Sequence, residues 1–534
     1  MEGGRAMVVF VSVVVLVVMC SCVGVVGGVK DAGGSSVVIV ESAERVIDVS
    51  SHVVKHMTTF KVRAKEDATA DVETMTLLFD AVPASGLAYL KATQLNKTTN
   101  KLEKMKFALE RDAADDDEGG DAVGAKATLV FRSALKPGAS AEVRVTSAFM
   151  DMVSPKGAMR QIEEPILVYR GDNHYILSPY DIETQKTTVK TTEVRNFSPL
   201  EPQQNSGATL VFGPYEKVAA ESRSPLVLSF VQRSGAPYID KLVRTVEVSH
   251  WGGIVDVRDE VSVTNVAPEV KGEWSRLEYS GSIHRSLEKR SKNLPLDKLT
   301  LNDVALQIFQ LVLPAAAKPR FFRDVNGKIS TTETKRAKGY TNYSVVSRYP
   351  LMGGWKAEFE YGYSLPLSSV ATFTPSASSA SVKEYRLSAP FGVDFARDNH
   401  AVKDFELRVV LPEGATDITV RPPYQVEKEM ASTASYLDTV GRPTLIVRKS
   451  NVVTEHNKPM DVRYSLATSS LLMEPLLLIA VFFMLFCLVI LMQRVELRFV
   501  KALDTSTSAT TSTTAVAAEM THPPTATATT TTTK

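Results

Sequence analysis

An uncharged apolar run of 17 residues, Leu476–Met492, constrains this chain more than any other feature. At 1.5 Å per helical residue it reaches roughly 26 Å, close to the hydrocarbon thickness of a bilayer. Arg494, Arg498 and Lys501 follow it at once, and nearly all of the 534 residues precede it. The pattern predicts a large folded portion hung on one membrane helix over residues 474–493.

The opposite end fixes the expected orientation. Arg5 precedes a valine-rich stretch, Met7–Met19, and small residues follow around Cys20-Ser21-Cys22 and Val23-Gly24. Charged, apolar and small-residue regions in that order predict a secretory signal peptide over residues 1–24. The later apolar run then acts as a stop-transfer helix, with its basic flank in the cytosol. The bulk of the chain is expected to be lumenal or extracellular. Residues 494–534, rich in Thr, Ser and Ala, read as a short disordered cytosolic tail with too little apolar surface to offset chain entropy.

With 61 basic and 60 acidic side chains, nothing draws the chain toward nucleic acid. The cysteines are Cys20 and Cys22 in the signal and Cys487 in the membrane run, so the intervening portion has no internal disulfide, thiol catalysis or cysteine-bound zinc. That portion, about 450 residues, is too long for one core.

Its pattern is mostly that of strands. Thr59–Ala64, Glu142–Val145, Phe405–Leu411 and Val462–Leu466 alternate polar and apolar side chains between Pro/Gly turns. Asn326-Gly327 marks a hairpin. One helix is expected at Leu296–Leu311, on the approximate spacing of Leu299, Leu301, Val304, Ile308 and Leu311. Asp112–Asp121 reads as a solvated acidic loop rather than a calcium site, and Asn196–Ser206 as a linker. No internal repeat is apparent. The expected fold is mainly β: two tandem β-sandwich-like lumenal domains, 25–205 and 206–470, followed by a single transmembrane α-helix.

The residues do not assemble a recognisable catalytic set. No HExxH, GxSxG, Walker loop or dinucleotide fingerprint is present. His52 and His56 are four apart, which suits metal only on a helix, and their surroundings favour strand. Gly252-Gly253 after Trp251, and Gly353-Gly354 before Trp355, read as tight strand connections anchored by buried tryptophans, with ligand loops as the alternative. No catalytic, cofactor-binding or metal residue is assigned. Three N-glycosylation acceptors stand out, Asn96, Asn196 and Asn342. Asn342 is expected to be accessible near a turn-rich loop, and Asn196 to be hindered by Phe197 and Pro199.

Several blocks resemble the ribophorin I family, subunit 1 of the oligosaccharyltransferase complex. Arg45–His52 looks like its opening strand. Gly171-Asp172-Asn173-His174-Tyr175, Phe212-Gly213-Pro214-Tyr215 and Val246–Gly252 are similar to later blocks. So are Leu313–Ala317 with Phe321–Asp324, Arg348–Leu351 with Gly353–Lys356, Leu411–Ala415, and Tyr436–Thr439 with Gly441–Pro443. Glu474–Leu477 closes the series at the membrane edge. The resemblance implies two tandem β-rich domains, one membrane helix, and a non-catalytic place in the endoplasmic reticulum complex that moves a preassembled oligosaccharide from dolichyl diphosphate to Asn in Asn-X-Ser/Thr. It implies no cofactor. The implied partners are the catalytic and small accessory membrane subunits, nascent polypeptides and the lipid bilayer. The tail here departs from animal members, which carry a long folded cytosolic region. The competing classes are a cell-surface receptor or adhesion ectodomain, for which the lack of disulfides is unusual, and a membrane-anchored ectoenzyme.

Overall fold

The computed structural model describes residues 37–503 apart from 67–69, 97–99, 112–122, 161–162, 234, 278, 281–303, 376–381, 396–399 and 436–437. The expected signal peptide, the acidic loop at Asp112–Asp121 and the tail beyond Leu503 lie outside the described residues.

The fold is built from strands whose inward positions are buried at every second residue. In β1 (Val38–Asp48) and β2 (Val54–Ala64), for example, Val40, Ile47, Phe60 and Val62 are buried. The first half continues with β3 (Val72–Asp80), β4 (Leu87–Asn96), β5 (Lys101–Lys104), β6 (Lys106–Arg111), β7 (Val123–Leu135) and β8 (Ser140–Phe149). Next come β9 (Val153–Pro155), β10 (Ile166–Asn173), β11 (Ile182–Lys190), β12 (Val194–Ser198), β13 (Gln204–Asn205), β14 (Thr209–Val218) and β15 (Pro225–Val231).

The second half opens with β16 (Pro237–Ser249), β17 (Ile254–Asn265), β18 (Leu306–Pro314), β19 (Lys318–Asp324), β20 (Gly327–Lys328), β21 (Thr332–Ala337), β22 (Tyr340–Leu351) and β23 (Lys356–Pro366). It closes with β24 (Ala371–Pro375), β25 (Val382–Ala389), β26 (Ala401–Val410), β27 (Ala415–Arg421), β28 (Glu427–Thr433), β29 (Arg442–Val453) and β30 (Met460–Ala467). Short helices α1 (Ala81–Gly86) and α2 (Leu367–Val370) interrupt the halves, and α3 (Met473–Leu503) ends the described chain.

The first fifteen strands form sheets ordered β13-β14-β11-β1-β2-β8-β4-β5, β3-β7-β6 and β12-β15-β10-β9. The last fifteen form sheets ordered β28-β29-β26-β16-β17-β23-β19-β20, β18-β22-β21 and β27-β30-β25-β24. The two sets match strand for strand. Pairing directions match too, including the one parallel contact in each large sheet, β1 on β11 and β16 on β26. Even a β-bulge recurs, between Val40 and Ser42 in one half and between Ile239 and Lys241 in the other. The chain is therefore an internal structural duplication, which alternation alone did not reveal.

The duplication bears on three sequence-based readings. The supposed linker Asn196–Ser206 holds β12 and β13, and the expected division after residue 205 falls inside the first repeat. We propose domain limits of 38–231 and 237–467. The expected helix at Leu296–Leu311 is contradicted where it is described: Leu306–Pro314 is strand β18, paired with β22. A bulge between Leu306 and Ile308 shifts the alternation, so that Leu306 and Phe309, both buried, stand at a helix-like spacing. The Asn326-Gly327 hairpin is present, with Asp324 opposite Gly327.

Each repeat has its own core. Phe60, Leu129 and Phe212 are among the buried residues of the first, and Leu242, Leu311, Phe405 and Tyr464 of the second. A small further cluster joins them: Val53 just before β2, with Ala148 and Met150 at the end of β8, packs on Ala401 and Val453. Lys55 and Glu455 pair across this joint at 2.7 Å, and the rings of Tyr89 and His456 meet edge-on at 5.4 Å. The repeats are thus stacked in series, the hairpin end of the first on the end of the second where β26 begins and β29 finishes. Helix α3 passes the expected end at residue 493, because Arg494–Leu503 contains good helix formers.

Candidate functional site

The strongest electrostatics in each repeat lie in one corresponding place. Counting from the shared bulge, Arg45 on β1 corresponds to Arg244 on β16, and both side chains are buried. Arg244 donates from Nε to Asp259 Oδ1 at 2.8 Å, and from Nη2 to Asp259 Oδ2 and Asp394 Oδ2, each at 2.5 Å. Tyr361 and Tyr363 donate their hydroxyls to the same two carboxylates. Burial, with Asp259 as a second carboxylate, lifts Asp394 to about 6 despite Arg244.

Arg45 reaches Asp172 at 3.3 Å and donates to the carbonyls of Asn173 and His174. Tyr169 donates to Asp172 at 2.6 Å, and His56 lies 3.3 Å from the Tyr169 hydroxyl. Burial would raise Asp172, yet Arg45, His56 and the Tyr169 hydrogen bond together hold it below the usual carboxylate range. Burial drives His56 down to about 4, so it is neutral at physiological pH. These networks pair charge inside a core and fix strand register. Sequence reasoning passed over both arginines. The available signal was an arginine flanked by core positions, Ala43 and Ile47 in one repeat, Val243 and Val246 in the other.

The motif blocks meet in pairs. Glu413 accepts from Thr439 N at 2.9 Å and Val440 N at 2.6 Å, joining the Leu411–Ala415 block to Tyr436–Thr439. Arg348 donates to Asp324 at 2.7 Å, joining Arg348–Leu351 to Phe321–Asp324. Gly353 packs so tightly that a Cβ there would lie 2.0 Å from the Pro268 carbonyl oxygen. The two double-glycine segments are strand connections, as expected. Their tryptophans are not buried anchors: Trp251 is 60% exposed, and Trp355 lies at a partly exposed contact with Trp274.

Trp251 instead marks the end of the molecule nearest α3. It sits at the tip of the β16–β17 hairpin and donates Nε1–H to the Leu471 carbonyl at 2.7 Å. Beside it His250 bonds the Tyr464 hydroxyl at 2.9 Å. Gly414 abuts Ser470, where a Cβ would lie 2.6 Å from the hydroxyl oxygen. The stretch Ser470–Gln493 is long and apolar enough to cross a membrane.

The other candidate residues are dispersed. His56 is on β2 and His52 in the turn before it. Among the described residues no group of three or more His, Cys, Asp and Glu is placed to hold a metal ion. Asn96 ends β4, where its amide donates to Glu103 at 2.9 Å. Asn196 is exposed on edge strand β12, whereas Asn342 is half-buried on β22, between β18 and β21. Asn342 does lie close to a turn, at Lys338-Gly339, but its place on a central strand leaves it less accessible than expected.

A family model described as Ribophorin I matches residues 38–493, both repeats and most of the apolar helix. This chain belongs to the ribophorin I family. Among its relatives is dolichyl-diphosphooligosaccharide–protein glycosyltransferase subunit 1B of Arabidopsis thaliana, 31% identical over 86% of this chain and 93% of that one. Subunit 1A of the same plant is 30% identical over 87% and 71%. The resemblance read from the motif blocks is thereby confirmed, and the chain is a homologue of oligosaccharyltransferase subunit 1. Native yeast leukotriene A4 hydrolase is a distant structural neighbour, with TM-score 0.25 and 10% identity over 39% of this chain and 31% of that one.

Proposed function

We propose that this chain is a non-catalytic subunit of the oligosaccharyltransferase complex, single-pass in the endoplasmic reticulum membrane, with both β repeats in the lumen. The carrying observation is the extent of the family match, which runs through both repeats and into the apolar helix. Its role is to support assembly of the complex that transfers oligosaccharide from dolichyl diphosphate to asparagine, and to handle nascent polypeptide. The catalytic and small accessory membrane subunits are its partners. The buried Arg45 and Arg244 networks support a structural role, since their charges are paired within cores.

Depletion tests this reading. Several unrelated glycoproteins should become under-glycosylated while lipid-linked oligosaccharide persists, and mild-detergent purification should recover the catalytic subunit. Unaltered glycosylation of every substrate examined, or glycan transfer by the isolated ectodomain, would overturn it.

A further inference from the structure

We infer that the lower end of the second repeat rests on the bilayer itself, with Trp251 and Val440 set in the lipid headgroup layer beside the helix. This rests on the reading that α3 spans the membrane.

Three observations carry it. The first is height. Met473–Gln493 at 1.5 Å per residue spans roughly 31 Å, about the hydrocarbon thickness, which puts Leu471 at the membrane surface. The Trp251 indole is hydrogen-bonded to the Leu471 carbonyl at 2.7 Å, so it lies at that same level.

The second is chemistry. Trp251 is 60% exposed, Val440 82% and Leu472 51%. Val440 is held at this end because Glu413 accepts its N–H while the neighbouring Gly414 abuts Ser470. An indole with an apolar body and a polar edge is the side chain most suited to the headgroup layer.

The third is the stacking of the repeats. The matching hairpin tip in the first repeat, at His52 and Val53, is buried against the second repeat. Among the described residues no third repeat is stacked on the Trp251 tip. Its place is taken by the segment that leads into α3, so the surface continuing from that segment is the membrane. Stacked repeats need a cap at each terminus, and here the lipid surface supplies one.

The test uses the full chain in phosphatidylcholine nanodiscs. Trp274→Phe and Trp355→Phe leave Trp251 as the sole tryptophan. Lipids brominated near the headgroup should quench its emission about twofold, as expected for an interfacial indole, and lipids brominated near the chain end should leave it almost unchanged. A nitroxide on Cys487 reports the helix separately. A deep Cys487 probe with an unquenched Trp251 overturns this inference and leaves the membrane anchor standing. A Cys487 probe outside the bilayer overturns both. Should the double variant fold poorly, the otherwise native chain serves: quenching by shallow bromines should fall on Trp251→Phe, and an unchanged signal there counts against the inference.

Discussion

Arg244 and Arg45 show how a buried charge is tolerated in a sheet. Each guanidinium is surrounded by carboxylate or carbonyl oxygens, so its desolvation is offset by several charge-assisted bonds. Arg244→Ala would strand Asp259 and Asp394 without their cation, and unfolding in urea should show a loss of about 3–5 kcal/mol. Asp394 carries a distinct signature. Its folded pKa of about 6 exceeds the unfolded value near 3.8, so the folded state holds its proton to higher pH. Its contribution therefore falls as pH rises from about 4 to about 6. Asp394→Asn should remove that fall and leave stability flatter across the same window; an unchanged pH profile would count against the assignment. The sequons belong to this scale too. A glycan needs an asparagine whose side chain can point into solvent, which favours exposed Asn196 over half-buried Asn342. Mass spectrometry of the native protein should find Asn196 the more fully occupied of the two, the reverse of the order that neighbouring residues suggested.

At the scale of elements, most strands were legible because burial on one face imposes period two, and Phe405–Leu411 and Val462–Leu466 fall largely within β26 and β30. The misread segment at Leu306–Pro314 shows the limit: a single bulge changes the phase, and three-residue spacing then imitates a helix. The duplication was hidden for a related reason. Many sequences satisfy the same alternation, so two repeats can share every pairing without visible similarity. The ion networks were illegible because their partners are distant in sequence, 150 residues apart for Arg244 and Asp394. Turns give the clearest test of what was read correctly. Gly353→Ala would drive a Cβ into the Pro268 carbonyl and should cost about 1–3 kcal/mol or more through overpacking. Gly253 has φ +60 and open space, nothing within 4 Å, where an added methyl would stand. Gly253→Ala should therefore cost only about 1–2 kcal/mol, from backbone conformation alone. Thermal unfolding of the two variants should separate them in that order.

For the molecule as a whole, the joint between repeats decides whether the two repeats move as one body. Its apolar part is small, five buried residues, so the side chains at its rim matter. Two of these are buried histidines. His52 is driven by burial, and by His400 facing it, to about 3, and its ring meets Tyr238. His456 is driven by burial, then by Lys449 and Lys458, to about 4, and its Nδ1 accepts the Val453 N–H at 3.1 Å, a bond that only the neutral ring can make. Both folded values lie below the unfolded value of 6.5. The unfolded chain therefore takes up protons first as pH falls, and stability present at neutral pH is lost below about 6.5, down through 4 and 3. At pH 5 the loss is about 2 kcal/mol for each histidine, a large share of what so small a joint can supply. Acidification should thus loosen the joint before it melts either core, visible as faster amide exchange at Val53, Ala401 and Val453 than at Leu242 or Phe60. His52→Leu keeps an apolar body against Tyr238 and removes the titration. It should recover about 2 kcal/mol at pH 5 and change little at pH 7. The same acid slope in this variant would mean that the proton is taken up elsewhere and that His52 is a packing residue only.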